Sequence, residues 1–240
     1  MKDYKKELDK FTAKLKANEP FQLVRYGDGE IAFIKQIKIN NKSPNYQLYP
    51  YNPTNPEHKY RAIELRAALK YQAENYFVGI STLPHVPESD YWYYREVSQQ
   101  PESNLTFATL FVNSNYKYFL SEFLPAVGEA YVVCLKDAKF NPESLPFKVL
   151  GRFDVPYNAW NDDSTYNTMR KYILENKISN QKFMVCAGIA ACTIIHKLAK
   201  EFPNNTFVDV GSPLDPLIGL GKTRRYLKGQ ATINHISIWK

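Results

Sequence analysis

Cysteine is scarce: Cys134, Cys186 and Cys192 are the three in 240 residues. Their odd number, apolar surroundings and lack of CxxC spacing argue against a disulfide framework and read as buried free thiols in a reducing compartment. Cys134 and Cys186 lie too deep in apolar segments to serve as nucleophiles, and no GxSxG elbow supplies a serine instead. Histidine is nearly as rare. His58, His85, His196 and His235 match no metal spacing such as HExxH, and His196, in an apolar helical stretch, reads as a packed core residue. No apolar run approaches ~18 residues, and the amino-terminal "MKDYKKELDKFTAKLKANEP" lacks the apolar stretch of a signal peptide. The expected location is the cytoplasm, with peripheral contact at the inner membrane face left open. There is no internal repeat, no low-complexity linker and no long polybasic run, which argues against nucleic acid as a partner.

What is present is a chain that can bury a sizeable core: 44% of residues are hydrophobic. Its length fits one domain over 1–240, with residues 1–18 as an amino-terminal packing helix. The formal charge of +7 favours an anionic partner such as a nucleotide, a phosphorylated lipid or a membrane surface, although a solvated lysine-rich surface gives the same number. Aromatic content is 15%, with 18 tyrosines, residues suited to a sugar or a base as well as to a core.

Tyr4, Leu8, Phe11 and Leu15 fall on one helical stripe within residues 3–17. "FQLV" then reads as a strand leading through "RYGDGE" into a helix-compatible "IAFIKQI". A long loop rich in Pro, Asn and Tyr is expected over 39–58, a helix over 59–75 and a strand over 76–81. Residues 82–103 read as irregular, with "YWYY" at 91–94 too crowded for all four aromatics to face one core. Further expectations are a helix near 114–125, strands at 130–136 and 147–151, a helix from Asp162 or Asp163, a strand over 182–188 followed by a helix, a strand over 205–211, and a last strand "TINHISIW". This alternation predicts an α/β fold: a Rossmann-like, mainly parallel sheet with helices on both faces.

In such sheets ligands gather at the carboxyl ends of the strands, and three strand ends stand out: "RYGDGE", "CAGIAA" and "VDVGSPLD". Two carboxylates about 4–5 Å apart repel by roughly 3–4 kcal/mol at an effective dielectric near 20, so Asp28 and Glu30 need relief. A helix amino terminus and Arg25 offer some; a hard divalent cation, Mn²⁺ or Mg²⁺, offers more. The competing reading is an N-cap Asp followed by a first-turn Glu. Gly188 resembles a phosphate-approach turn, or serves tight strand-to-helix packing. After Asp209, Ser212 and Asp215 comes a basic cluster of Lys222, Arg224 and Arg225. The "GKT" at 221–223 is no Walker A motif, because the earlier glycine falls on Pro216.

With these residues assembled, the sequence resembles the GT-D-type glycosyltransferases, a bacterial family long carried as a domain of unknown function. The resemblance runs from about 20 to 227 through "LVRYGDGEI", "YFVGI", "TFATLFVNSNYKYFL", "VPYNAW", "KFMVCAGIAACTIIHKLA" and "TFVDVGSPLDPLIGLGKTRRYL". It implies a nucleotide-sugar donor and an Asp-x-Glu motif that holds a divalent metal, here Asp28 and Glu30. Donor-site positions would be Arg25, Gly27, Gly188, Asp209, Gly211, Ser212, Asp215 and Arg224; Asn113, Asn158 and Trp160 match further motif positions. Ile189 departs from the proline that relatives often carry after the strand-end glycine.

The expected function is metal-dependent transfer of a hexose from a nucleoside-diphosphate sugar, a UDP-sugar first, to a hydroxyl of a glycan or glycolipid acceptor. Lys222 or Arg224 shares the diphosphate charge, and Asp215, or else Asp162, is the base. The 39–58 loop and "DYWYY" are expected to select the acceptor. The alternatives are a non-catalytic nucleotide- or glycan-binding module in a biosynthetic complex, and a phosphohydrolase using the same clamp. Oligomeric state is not legible.

Overall fold

Every strand named in the sequence but the last recurs among the described residues of the computed structural model. The structure describes residues 1–39, 50–157, 159–160, 162–222, 224–228 and 235–240. The strands are β1 (Gln22–Tyr26), β2 (Tyr76–Ile80), β3 (Leu105–Phe107), β4 (Glu129–Leu135), β5 (Lys148–Val155), β6 (Lys182–Val185) and β7 (Thr206–Asp209). They form one sheet in the order β3-β2-β1-β7-β6-β4-β5, and all six pairings are parallel. β3 was not foreseen. Its three residues give no usable period, and it exists because Val78, Gly79 and Ile80 offer a partner edge.

Alternation along each strand sorts side chains between two cores. Val24, Tyr26, Val78, Ile80, Tyr131, Val133, Phe183, Val185 and Phe207 point to one face; Leu23, Phe77, Val132, Cys134, Met184 and Val208 point to the other. The first face is covered by α3 (Pro56–Lys70), α4 (Glu88–Ser98), α7 (Ser164–Glu175) and α8 (Ala190–Glu201). The second is covered by α1 (Tyr4–Lys16) and by a helical stretch in which α5 (Tyr116–Tyr118) and α6 (Leu124–Ala126) flank a π-helical turn, Phe119–Phe123. Helices thus lie on both faces, as the continuous apolar strands required. The three cysteines are buried and unpaired.

The α1 stripe behaves as read: Tyr4, Leu8, Phe11 and Leu15 are all buried. The segment over 82–103 does not, since it contains α4. Tyr91 and Tyr94, three apart on one helical face, are buried there, while Trp92 is exposed. Prolines on either side masked an eleven-residue helix, although the four aromatics do divide between core and solvent. Residues 40–49 of the loop expected over 39–58 lie outside the described residues; Ile39 and Tyr51 form an antiparallel bridge, and residues 56–58 already belong to α3. Of "TINHISIW", residues 235–239 are described. They carry a single antiparallel bridge, Ile238 to Leu83, in place of a strand.

The chain leaves β1 for β2 and β3, fills the far half with β4 and β5, then returns through β6 to β7 beside β1. The loops after β1, β6 and β7 therefore meet in mid-sheet at the carboxyl edge, where the strand order reverses direction. Among the described residues no helix is long and apolar enough to cross a membrane.

Candidate active site

Arg25, the fourth residue of β1, organises this edge. Its Nε donates to the Asp209 carbonyl at 2.7 Å, Nη2 to Asp209 Oδ1 at 3.3 Å, and Nη1 to the Ala108 carbonyl at 2.9 Å. The guanidinium also lies 5.3 Å from the centre of the Phe111 ring. One side chain so joins the ends of β1 and β7 to the loop after β3. Burial raises the Asp209 carboxyl above its ordinary range, with Arg25 pulling the other way. The guanidinium was expected to relieve Asp28 and Glu30; it is committed to Asp209 instead, because β7 pairs directly with β1.

The "GDGE" turn differs from a simple cap. The N-cap of α2 (Glu30–Ile34) is Gly29, with no side-chain cap bond, so Asp28 is not the N-cap residue. Glu30 Oε2 instead turns back to accept the Gly27 N–H at 2.7 Å, and the Gly27 carbonyl accepts from Tyr94 Oη at 2.7 Å. A Cβ on Gly27 would come within 3.0 Å of Glu30 Oε2. Burial pushes the Glu30 carboxyl up to about 7, and the nearby charges of Asp209 and Asp28 push the same way. Asp28 itself is exposed.

Two left-handed glycines complete the floor, both at φ 54°: Gly188 after β6 and Gly211 after β7. Gly188 is exposed, and no side chain caps the start of α8 behind it. Gly211 donates to the Val185 carbonyl at 3.2 Å, and a Cβ there would stand 2.4 Å from Arg25 Nη2. Ser212 opens a 3-10 turn, Ser212–Leu214, followed by the half-buried Asp215. The charge of Asp215 helps to raise the hydroxyls of Tyr116 and Tyr226, in each case behind burial. Those two rings meet at 5.3 Å. Lys222 and Arg224 are exposed.

The expected site residues therefore divide. Arg25, Gly27, Asp28, Glu30, Gly188, Asp209 and Gly211 converge on the ends of β1, β6 and β7, with Ser212 and Asp215 one turn beyond. Asp162 accepts from the Ser164 N–H and hydroxyl at 2.9 and 2.6 Å, just ahead of α7, whose N-cap is Asp163. Trp160 is buried against Phe33 and Tyr51, with ring centres 4.7 and 6.4 Å away. Asn158 lies outside the described residues. A cavity of about 310 Å³ among α3, α7 and α8, lined by Glu64, Tyr166, His196 and Lys197, is on the helical face and takes no part in this convergence.

Of the wall beside β2 and β3, sequence reasoning named Asn113 as a motif position and missed the two histidines next to it. His85 Nε2 lies 3.3 Å from the Asn113 carboxamide, and its ring is 6.4 Å from that of His235. Burial lowers the His85 imidazole, as does His235, while Asp28 pulls it up. No spacing signal exists for such a set, since its members come from three separate loops.

Among the described residues no group of three or more His, Cys, Asp or Glu side chains is arranged to hold a metal. The donor set nonetheless fits a hard divalent cation that draws its remaining ligands from water and phosphate. Glu30 and Asp28 are oxygen donors on one turn, and burial beside other carboxylates leaves Glu30 short of positive charge.

No family model matches the sequence, and no curated protein does. Two solved structures are similar. One is described as the highly conserved domain of unknown function 1792, with a distinct glycosyltransferase fold; it aligns at a TM-score of 0.57 and 15% identity over 90% of this chain and 83% of that one. The other, a selenomethionine-substituted structure of domain of unknown function 1792, aligns at 0.58 and 13% identity over the same shares. At these identities the likeness is one of fold: the seven-stranded parallel sheet with helices is similar to the fold of the structure described as having a distinct glycosyltransferase fold.

Proposed function

We propose that the protein is a glycosyltransferase moving a hexose from a nucleoside-diphosphate sugar, a UDP-sugar in the first instance, to a hydroxyl of a glycan or glycolipid acceptor. One observation carries this: the Asp-x-Glu turn, the Arg25–Asp209 pair and the two glycine turns at 188 and 211 meet where β1, β6 and β7 end. Glycines there let a phosphate approach the backbone, and the uncapped start of α8 offers N–H groups and a positive dipole end to an anion.

Asp28 and Glu30 would hold Mn²⁺ or Mg²⁺, which supplies neutralisation of the charge gathering on the departing diphosphate. Arg25 fixes Asp209 and the Gly211 turn, so the floor is set before substrate arrives. Exposed Arg224 and Lys222 are free to reach the outer phosphate oxygens. The net charge of +7 draws an anionic donor toward the edge.

Titration of the purified protein with UDP, with Mn²⁺ and then with EDTA, tests this against the Asp28→Ala/Glu30→Ala variant. The expected result is metal-dependent binding by the wild type, absent from the variant, followed by UDP release from at least one UDP-hexose. Binding without turnover of any donor would make the chain a binding module instead.

A further inference from the structure

The donor wall of this edge leaves the opposite wall unassigned, and that wall is built from distant pieces. β2 ends in a loop carrying His85, whose backbone N–H donates to the Thr82 carbonyl at 2.9 Å. The loop after β3 is anchored by Arg25 at Ala108 and by Tyr4 Oη at Thr109 and Val112; it ends at Asn113, which is buried and held at φ 54°, unusual for a residue with a side chain. The carboxyl-terminal segment is the third piece. Ile238 N–H donates to the Leu83 carbonyl at 2.8 Å, Ser237 Oγ shares a hydrogen bond with Thr109 Oγ1, and the His235 carbonyl accepts from the Ser114 N–H at 3.3 Å. Trp239 anchors that segment, buried against Phe107 and Tyr91, with Nε1 donating to Glu102 Oε1 at 2.7 Å. Three loops are thus fastened to one another, and what they hold in common is an imidazole pair with a buried carboxamide on one ring.

We propose that His85 is a catalytic residue on the acceptor side of the site, taking the proton of the acceptor hydroxyl, with Asn113 and His235 positioning its ring; this rests on the glycosyltransferase reading above. Asn113 engages Nε2. The atom at 3.3 Å from Nε2 is the Asn113 amide nitrogen, Nδ2; for Nδ1 to be the basic nitrogen the carboxamide is turned over, so that its oxygen accepts Nε2–H. In the step, the hydroxyl oxygen forms its bond to the sugar's C1, the bond from C1 to the diphosphate oxygen breaks with its electron pair leaving on the diphosphate, and the hydroxyl proton passes to Nδ1. Water in place of the acceptor gives hydrolysis by the same transfer. Asp215, the base favoured by sequence reasoning, stands on the β7 side beside Tyr116 and Tyr226, and the two assignments are separable.

The experiment compares the full-length wild type with His85→Ala, His85→Gln and Asp215→Asn. UDP binding with Mn²⁺ is followed by calorimetry, UDP release from UDP-hexoses with water as acceptor by a coupled assay, and folding by thermal melts. Expected for both His85 variants is UDP affinity within about threefold of wild type and turnover lower by about 10²–10⁴, with added imidazole restoring part of the rate in His85→Ala. Asp215→Asn should keep more turnover than either. The proposal is overturned by turnover within threefold of wild type in His85→Ala, by loss of turnover that imidazole leaves unchanged, or by wild type that binds UDP without turning over any donor. Failure of the wild type to bind UDP overturns the donor reading itself, and the base assignment with it.

Discussion

Arg25 and Asp209, 184 residues apart in the chain, form a buried pair in which Nη2 meets Oδ1 at 3.3 Å while Nε holds the Asp209 carbonyl at 2.7 Å. The pair locks the first strand to the last. Removing one partner from a buried pair costs about 3–5 kcal/mol, because the other is left charged and dry. Arg25→Met should therefore lower stability by that amount in urea unfolding, and adding Asp209→Leu should recover part of the loss. Additive losses in the double variant would mean that the two side chains do not act as a unit.

Gly211→Ala places a methyl 2.4 Å from Arg25 Nη2 at a backbone φ of 54°. The guanidinium must move, so the loss should approach that of Arg25→Met, about 2–4 kcal/mol. In the Arg25→Met background the clash is relieved, and the remaining penalty should fall to the backbone term of about 1–2 kcal/mol. An unchanged penalty there would exclude the steric route.

Glu30 sits where its protonated form is favoured. Its folded carboxyl titrates at about 7 against 4.5 for the free group, so between those values the folded state keeps a proton that the unfolded state gives up. Stability contributed by Glu30 is thus greatest below pH 4.5 and is lost as pH rises through 7. Glu30→Gln should be more stable than wild type at pH 8, by about 2 kcal/mol, and little different near pH 4. Melting curves at the two pH values check this. Added Mn²⁺ should stabilise the wild type at pH 8 and leave Glu30→Gln nearly unmoved.

His196 gives the opposite slope. It packs among Tyr71 and Tyr76, and burial, with Lys200 and Lys197 adding, lowers its imidazole to about 4. Its contribution is present above the ordinary value of 6.5 and is lost as pH falls from there to 4, because only the unfolded state takes up the proton readily. The ring is partly exposed, so the change is of the order of 1 kcal/mol after solvent screening. His196→Gln should flatten that acid limb of the stability profile; an unaltered limb would assign it to other groups.

Much of the architecture was legible because its causes are short-range. "YFVGI" and "YVVCL" read as strands because β-branched and aromatic residues suit a pleated, buried surface, and Tyr4, Leu8, Phe11 and Leu15 share a face because a helix turns once per ~3.6 residues. α4 was hidden because Pro84 and Pro87 precede an aromatic run with no clear polar face. β3 was hidden because three residues cannot show a period. Within the site, the "GDGE" turn announced itself by two carboxylates at a strand end, whereas the fold of Glu30 back onto Gly27 did not.

By itself the sequence determined the parallel α/β class, the buried thiols and the places where strands hand over to turns, since these follow from local pattern and burial. Only the tertiary structure decided which turns share an edge. The order β3-β2-β1-β7-β6-β4-β5 is a choice among parallel neighbours whose contacts are far apart in sequence, and no local propensity encodes it. That choice gives Arg25 to Asp209 and not to Asp28 or Glu30, and it brings His85, Asn113 and His235 to one wall.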